Sequence, residues 1–370
     1  MSSAKKSPIT YQDSGVDTEQ GAHALSGLLS WVRSTESFRA GTTGQTLCPS
    51  GHFATILDLG GETALAAASD GVGTKLLIAQ MLDRYDTVGI DCVAMNVNDL
   101  VCVGADPIAM LDYLAIAKAD PKMLEAIGQG LHEGARLANI SIPGGELAQI
   151  PSMLSGYHPD RAFDLVGTAF GLVPRDQILT GDQLEPGQII VGLESNGLHS
   201  NGYSLARRVL LEHAQLPLKD PHPDLDSPLA EELLRPTAIY VEFCRRLTRR
   251  KIFPTWLCHI TGDGLLNLLR CQSTVKFVID NHPSPPPIFR LIQRLGPVDT
   301  VEMFRTFNMG LGFCVVIPES DLSATLEEAR ACGHQAQQIG HLEASSIQEV
   351  LIPEFDLVGS EGSFRRISRD

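Results

Sequence analysis

Ser69-Asp70-Gly71-Val72-Gly73-Thr74-Lys75 sets a carboxylate, two glycines, a hydroxyl and an ammonium side by side. Where a strand ends and a helix begins, free N–H groups and the helix dipole favour phosphate, and Gly71 and Gly73 let the backbone approach a ligand closely. The run reads as a phosphate-binding turn in which Lys75 neutralises charge. It is not a Walker loop, because GxxxxGK[ST] is absent, nor a dinucleotide fingerprint, because Leu76 stands where the third glycine is required. Taken alone, such a loop is better read as a tight turn with an incidental lysine.

Three further clusters carry chemistry. In Gly89-Ile90-Asp91 and Met95-Asn96-Val97-Asn98-Asp99-Leu100, Asp91 and Asn98 are separated by nearly two helical turns and so share a face, with Asp99 beside them. Carboxylates within a Val-rich helix cost several kcal/mol unless a cation or hydrogen bonds compensate. Asp99 reads as a ligand to a divalent ion, while Asp91 fits a ligand or a solvated polar stripe. Pro143-Gly144-Gly145-Glu146 follows an expected strand at 139–142, so Glu146 joins Asp70 and Asp99 as a third oxygen donor of the kind Mg²⁺ accepts beside water and phosphate. Ser195-Asn196-Gly197-Leu198-His199-Ser200-Asn201-Gly202-Tyr203-Ser204 is dense in donors around one histidine, able to act as acid, base or oxyanion stabiliser. Leu198 occupies the glycine position of a GxSxG elbow, which excludes a serine hydrolase.

These clusters need strand ends and helix starts to position them. Residues 54–69 predict two strands around Gly60-Gly61; 74–82 and 86–103 predict helices; 107–117 and 163–173 predict strands flanking a helix at 121–139. The polar run at 174–187 interrupts the pattern and divides the chain into domains 1–173 and 174–370. Beyond it, 188–194, 275–279 and 311–317 read as strands, and 203–214 and 228–249 as helices. The class is therefore α/β in both halves.

The composition limits the partners. With 43% hydrophobic and 20% charged residues over 370 positions, the chain can bury two cores. A net charge of −15 repels nucleic acid and anionic membranes, so a polyanionic substrate needs a locally built positive site. The eight cysteines are scattered without CxxC pairs or zinc spacing, and no apolar run approaches the length of a membrane span. Both observations point to a reducing cytoplasm.

Tyr11-Gln12-Asp13-Ser14-Gly15-Val16-Asp17, the DGVGTK loop, MNVNDL, Gly104-Ala105-Asp106-Pro107, GGELAQIP, FDLVGTAFG, SNGLHSNGYS, LRPTAIYV, HITGDG and FRTFNMGLG, in this order over nearly the whole chain, resemble the phosphoribosylformylglycinamidine cyclo-ligase family. The wider ATP-binding superfamily is similar chiefly in the first half. The resemblance implies an N-terminal domain whose sheet pairs with its twin in a barrel shared by a homodimer, and a C-terminal α/β domain over an ATP cleft. It implies ring closure of formylglycinamidine ribonucleotide with ATP and Mg²⁺. Asp70, Asp99 and Glu146 would hold the metal; Gly71, Val72, Gly73, Thr74, Lys75, Asp91 and Asn98 the nucleotide; Ser195, Asn196, Gly197, Ser200, Asn201, Thr261 and Gly262 the substrate. His199, Asp99 and Lys75 would be catalytic. A superfamily kinase or synthetase on another small substrate, or a non-catalytic ATP-binding paralogue, is the alternative. The chain departs from the family pattern at Ser14, Gln149, Asp263 and over 39–53.

Overall fold

Small side chains at alternate positions build the first sheet. In the computed structural model, which describes residues 9–16, 18–48 and 51–367 and so leaves Asp17 of the N-terminal motif outside, β1 (Thr55–Asp58) and β2 (Thr63–Gly71) form the expected hairpin. Strands β3 (Asp106–Ile116), β4 (Ser141–Gln149) and β5 (Phe163–Pro174) complete a sheet of order β1-β2-β5-β3-β4. Ala64, Ala66 and Ala68 of β2 and Gly167 and Gly171 of β5 turn to one face. With so little side chain there, α3 (Val88–Cys102) lies directly on the sheet: a Cβ on Gly167 would stand 2.7 Å from the Asn96 amide.

Before the sheet runs α1 (Thr18–Ser34), and α2 (Lys75–Leu82) follows β2 directly. Helix α4 (Pro121–Ala138) starts at Asp120, whose carboxylate accepts from the Lys122 and Met123 amides, with proline at the first helical position. It crosses α3 at glycines, since a Cβ on Gly89 would lie 2.2 Å from the Leu131 nitrogen.

The second half folds on β9 (Leu311–Ile317), buried along its full length as central strands are. With β6 (Ile189–Glu194), β7 (Trp256–His259), β8 (Val275–Val278), β10 (Ala336–Ala344), β11 (Glu349–Ile352), β12 (Leu357–Ser360) and β13 (Ser363–Arg366) it forms a sheet of order β13-β12-β11-β8-β10-β6-β9-β7. Around it lie α5 (Tyr203–Arg207), α6 (Leu229–Leu234), α7 (Val241–Arg249), α8 (Pro287–Leu295), α9 (Thr300–Thr306) and α10 (Leu322–Ala331).

Two expected elements differ. The helix expected over 228–249 is two helices, because Pro236 cannot donate within a helix and disfavours helical backbone at Arg235. The strand expected at 139–142 continues through Gly144, Gly145 and Glu146 to Gln149 as β4. Gly145 is required there by its partner, for a Cβ would stand 2.3 Å from Asp112 Oδ1.

Candidate active site

The segment freed by the Pro236 break joins the two halves and decides what several site residues do. Residues 235–240 dock on the polar face of α3. The Asp91 carboxylate accepts from the Thr237 amide and hydroxyl, both at 2.7 Å. Asn98 donates to the Ala238 carbonyl at 2.8 Å and accepts from the Tyr240 amide at 3.0 Å.

Lys75 belongs to the same clamp. Its ammonium donates to Asp91 Oδ1 at 2.9 Å, to the Arg235 carbonyl at 2.7 Å and to the His199 carbonyl at 3.2 Å. With Asp91 Oδ2 at 2.8 Å and both side chains 0% exposed, all three protons are committed in the interior. Burial lowers the Lys75 pKa, and the Asp91 charge opposes that shift. Lys75, Asp91 and Asn98 were expected at the nucleotide; here they fasten the two halves together. The cause is geometric, because the first residue of a helix directs its side chain back toward the N-terminus, here into the second half of the chain.

His199 also departs from expectation. Its backbone is left-handed, at φ 59°, and the ring turns under its own loop, where a Cβ on Gly312 would stand 2.6 Å from Cε1. The Asn196 amide donates to Nε2 at 3.3 Å, which leaves the proton on Nδ1, buried without a partner. Burial holds the imidazole well below its usual pKa, with the charges of His259 and Lys75 adding to the effect. Only 2% of the residue is exposed, so its ring does not open on a cleft.

Around it the loop holds itself. Ser195 Oγ donates within a cluster of the Gly197 carbonyl and Asn308, Ser200 pairs with Thr237, and Asn196 donates to the Pro236 carbonyl. Ser195 and Asn196 line a groove with Ile90, Arg136 and His334, away from the phosphate-binding turn. The far end of the loop meets that turn instead. Ser204 and Thr74 hydroxyls lie 3.3 Å apart, and a Cβ on Gly262 would stand 3.6 Å from Asn201 Oδ1. Thr74, Gly73, Asn201, Thr261 and Gly262 are thus brought together, with Gly73 and Thr74 exposed at the N-terminus of α2. Val72 is buried and its amide donates to the Leu165 carbonyl, while the Gly71 amide is taken by Asp70 Oδ1.

Beside this junction lie two of the three expected metal ligands. Asn96 fixes Asp70, accepting from its amide at 2.9 Å and donating to its carbonyl at 3.1 Å. Burial raises the Asp70 pKa and the nearby Asp99 charge raises it further. Asp99 Oδ1 accepts from His259 Nδ1 at 2.9 Å, and Asn98 lies 3.4 Å from Nε2, so the ring is held at both nitrogens. Glu146 does not join them. It is level with Tyr113 of β3 and, through it, Val166 of β5, on the outer face, whereas Asp70 is level with Gly167 on the face beneath α3, three strand spacings or roughly 14 Å away. Among the described residues no group of three or more His, Cys, Asp or Glu side chains is assembled to hold a metal. Two carboxylates that repel one another still suit Mg²⁺, which commonly takes one or two from the protein and its other oxygens from phosphate and water.

Residue-by-residue reading missed Asn96, Thr237 and His259, although the asparagine stands inside MNVNDL and the histidine opens HITGDG. It also missed Asp112, whose pKa burial raises, and which period-two alternation in 107–117 assigns to the face of Met110 and Leu114.

Residues 51–173 match the family described as AIR synthase related protein, N-terminal domain, and residues 185–352 its C-terminal domain. A phosphoribosylformylglycinamidine cyclo-ligase of Methanobrevibacter smithii is 44% identical over 86% of this chain and 90% of its own. One of Methanothermobacter thermautotrophicus is 43% identical over 90% and 94%. Among solved structures, thiamine-monophosphate kinase from Stenotrophomonas maltophilia superposes with a TM-score of 0.58 at 21% identity, covering 88% of this chain and 95% of that one. Phosphoribosylformylglycinamidine synthase II from Thermotoga maritima gives 0.53 at 16%, over 82% and 44%. At these identities the two structures share the fold.

Proposed function

The chain belongs to the phosphoribosylformylglycinamidine cyclo-ligase family, and on that premise we propose that it is an ATP-dependent ligase closing the imidazole ring of formylglycinamidine ribonucleotide. The products are aminoimidazole ribonucleotide, ADP and phosphate. The observation carrying this reading is identity of 44% and 43% that runs through both halves of the chain.

In the reaction the terminal phosphoryl group of ATP passes to the formyl oxygen, an internal nitrogen attacks the activated carbon, and phosphate leaves. The exposed Gly73–Thr74 turn at the α2 N-terminus supports a role in binding phosphate oxygens. Asp70 and Asp99 are the carboxylates we assign to Mg²⁺, which when bound offsets phosphate charge. His259 and Asn96 orient them. Asn201, Thr261 and Gly262 are assigned to the substrate side, and Ser195, Asn196, Gly197, His199 and Ser200 to holding their loop.

We divide the chain at 173/174 and assign it to a homodimer joined through the outer face of the first sheet. Supporting this, Ile108, Leu111, Tyr113 and Leu172 lie exposed there, and α1 leaves Leu28 and Trp31 uncovered. We assign it to the cytoplasm, where its eight free cysteines stay reduced. No described helix is long and apolar enough to cross a membrane.

Purified protein incubated with formylglycinamidine ribonucleotide and Mg-ATP should yield ADP and aminoimidazole ribonucleotide in equal amounts. ADP without the imidazole product would point to a different acceptor and overturn the reading.

A further inference from the structure

With Lys75 committed inside, the phosphoryl group being transferred needs another cation, and we propose that Arg270 supplies it by contacting the terminal phosphate of ATP. Arg270 ends the short 3₁₀ turn Gly264–Arg270 that follows the Thr261-Gly262 site. Its side chain is exposed, and its guanidinium carbon stands 4.8 Å from the centre of the Phe53 ring. Stacking fixes the plane of the guanidinium and leaves its N–H edge free, the geometry suited to bidentate phosphate contact. No described carboxylate lies within ion-pair distance of it. Arg235 and Arg245, other cations along the junction of the two halves, are paired with Glu232 at 2.7 Å and Asp106 at 2.6 Å.

Ring and loop contacts place Arg270 beside the carboxylate pair. Phe53, on which it stacks, lines a pocket with Ala67, Ala68 and Ser69, the residues that lead into Asp70. The Phe53 ring also lies 6.0 Å from Trp256 and the neighbouring His52 ring 5.3 Å from it, at the start of the strand that ends at His259, the partner of Asp99. Arg270 therefore borders the same region as Asp70 and Asp99. It lines a groove of about 710 Å³ with Asp263, Asn267, Gln272 and Gln348, whose lining starts one residue after Gly262. Asn267 donates to the Gly262 and Gly264 carbonyls and so anchors the turn from which Arg270 projects. In a chain of net charge −15, an exposed guanidinium without a carboxylate partner, next to two carboxylates suited to a cation, is an arrangement that a polyphosphate bridged by that cation completes.

This rests on the ATP-dependent reading above. The test compares ATP, ADP and AMP affinities by calorimetry, steady-state turnover, and nucleotide-free melting for the wild type, Arg270→Gln and Arg270→Lys. In Arg270→Gln we expect ATP affinity to fall about 10-fold and turnover about 100-fold, with AMP affinity and melting unchanged. Millimolar guanidinium should restore part of the turnover, and Arg270→Lys should recover little of it because an ammonium lacks the fork. Unchanged ATP affinity and turnover would overturn the proposal. So would equal weakening of ATP and AMP, which would place the side chain at the base or ribose, or a lowered melting temperature in both variants without selective loss of ATP. Should the wild type bind ATP but make no aminoimidazole ribonucleotide, the functional reading fails, while the nucleotide comparison still decides the role of Arg270.

Discussion

Replacing Lys75 by Met separates an interior clamp from a phosphate ligand. The substitution keeps most of the volume and removes the ammonium, leaving the Asp91 carboxylate buried with only Thr237 as donor, and the Arg235 and His199 carbonyls without the bonds that tie them to α2. Breaking a buried pair from one side costs about 3–5 kcal/mol, against a total stability of about 5–15 kcal/mol. With an unfolding entropy of about 2.1 cal/mol/K per residue, a chain unfolding as one unit would melt about 4–6 °C lower. Lys75→Met/Asp91→Asn removes both buried charges, so it should be less destabilised than the sum of the single variants by about 1–3 kcal/mol. The assay is calorimetric melting without nucleotide, alongside ATP affinity. A Lys75→Met protein that melts at the wild-type temperature but binds ATP far more weakly would refute the clamp and return the ammonium to the phosphates.

Asp99→Asn keeps the shape while deleting a charge; we expect a normal melting curve, a much higher Mg²⁺ requirement and loss of most activity, with an unchanged magnesium titration counting against the pair. His282 is held by burial at a pKa of about 4, below its usual 6.5, so the unfolded chain takes up the proton first as pH falls. Stability from this group is complete above pH 6.5 and declines toward pH 4; at pH 5 the loss is about 2 kcal/mol, which urea unfolding should show in the wild type and not in His282→Phe. Gly89→Ala sets a methyl 2.2 Å from backbone nitrogen of α4, which cannot swing aside as a side chain can; about 2 kcal/mol or more of destabilisation is expected in the same assay. Light scattering at micromolar concentration should give the mass of two chains, and a fully active monomer would rule out the shared barrel.

Residue type and spacing were enough for the elements that are locally encoded. The Gly60-Gly61 hairpin, the Ala-rich strand into Asp70, the amphipathic helix capped by Asp120 and the apolar run of β9 follow from turn chemistry and periodicity within a few residues. So did the candidacy of Asp70 and Asp99, since strand ends and helix starts are where such groups gather. Asp263, one departure from the family pattern, occupies a left-handed position at φ 69°, which explains why glycine is usual there and why an aspartate is tolerated.

What local pattern could not decide was direction. Glu146 and Asp70 stand in strands of the same sheet, but strand order and register set them on opposite faces, and register is a property of the pairing rather than of either segment. His199 is surrounded by polar neighbours in sequence, yet it is buried because Gly312 and Tyr240, far along the chain, leave the space its ring fills. Lys75 is the clearest case. Its sequence context of glycines and a helix start matches a phosphate ligand, while its three bonds reach 16, 124 and 160 residues along the chain. An ammonium goes to whichever oxygens offset its desolvation best, and only the packing of the second half against α3 determines that these are Asp91 and two buried carbonyls.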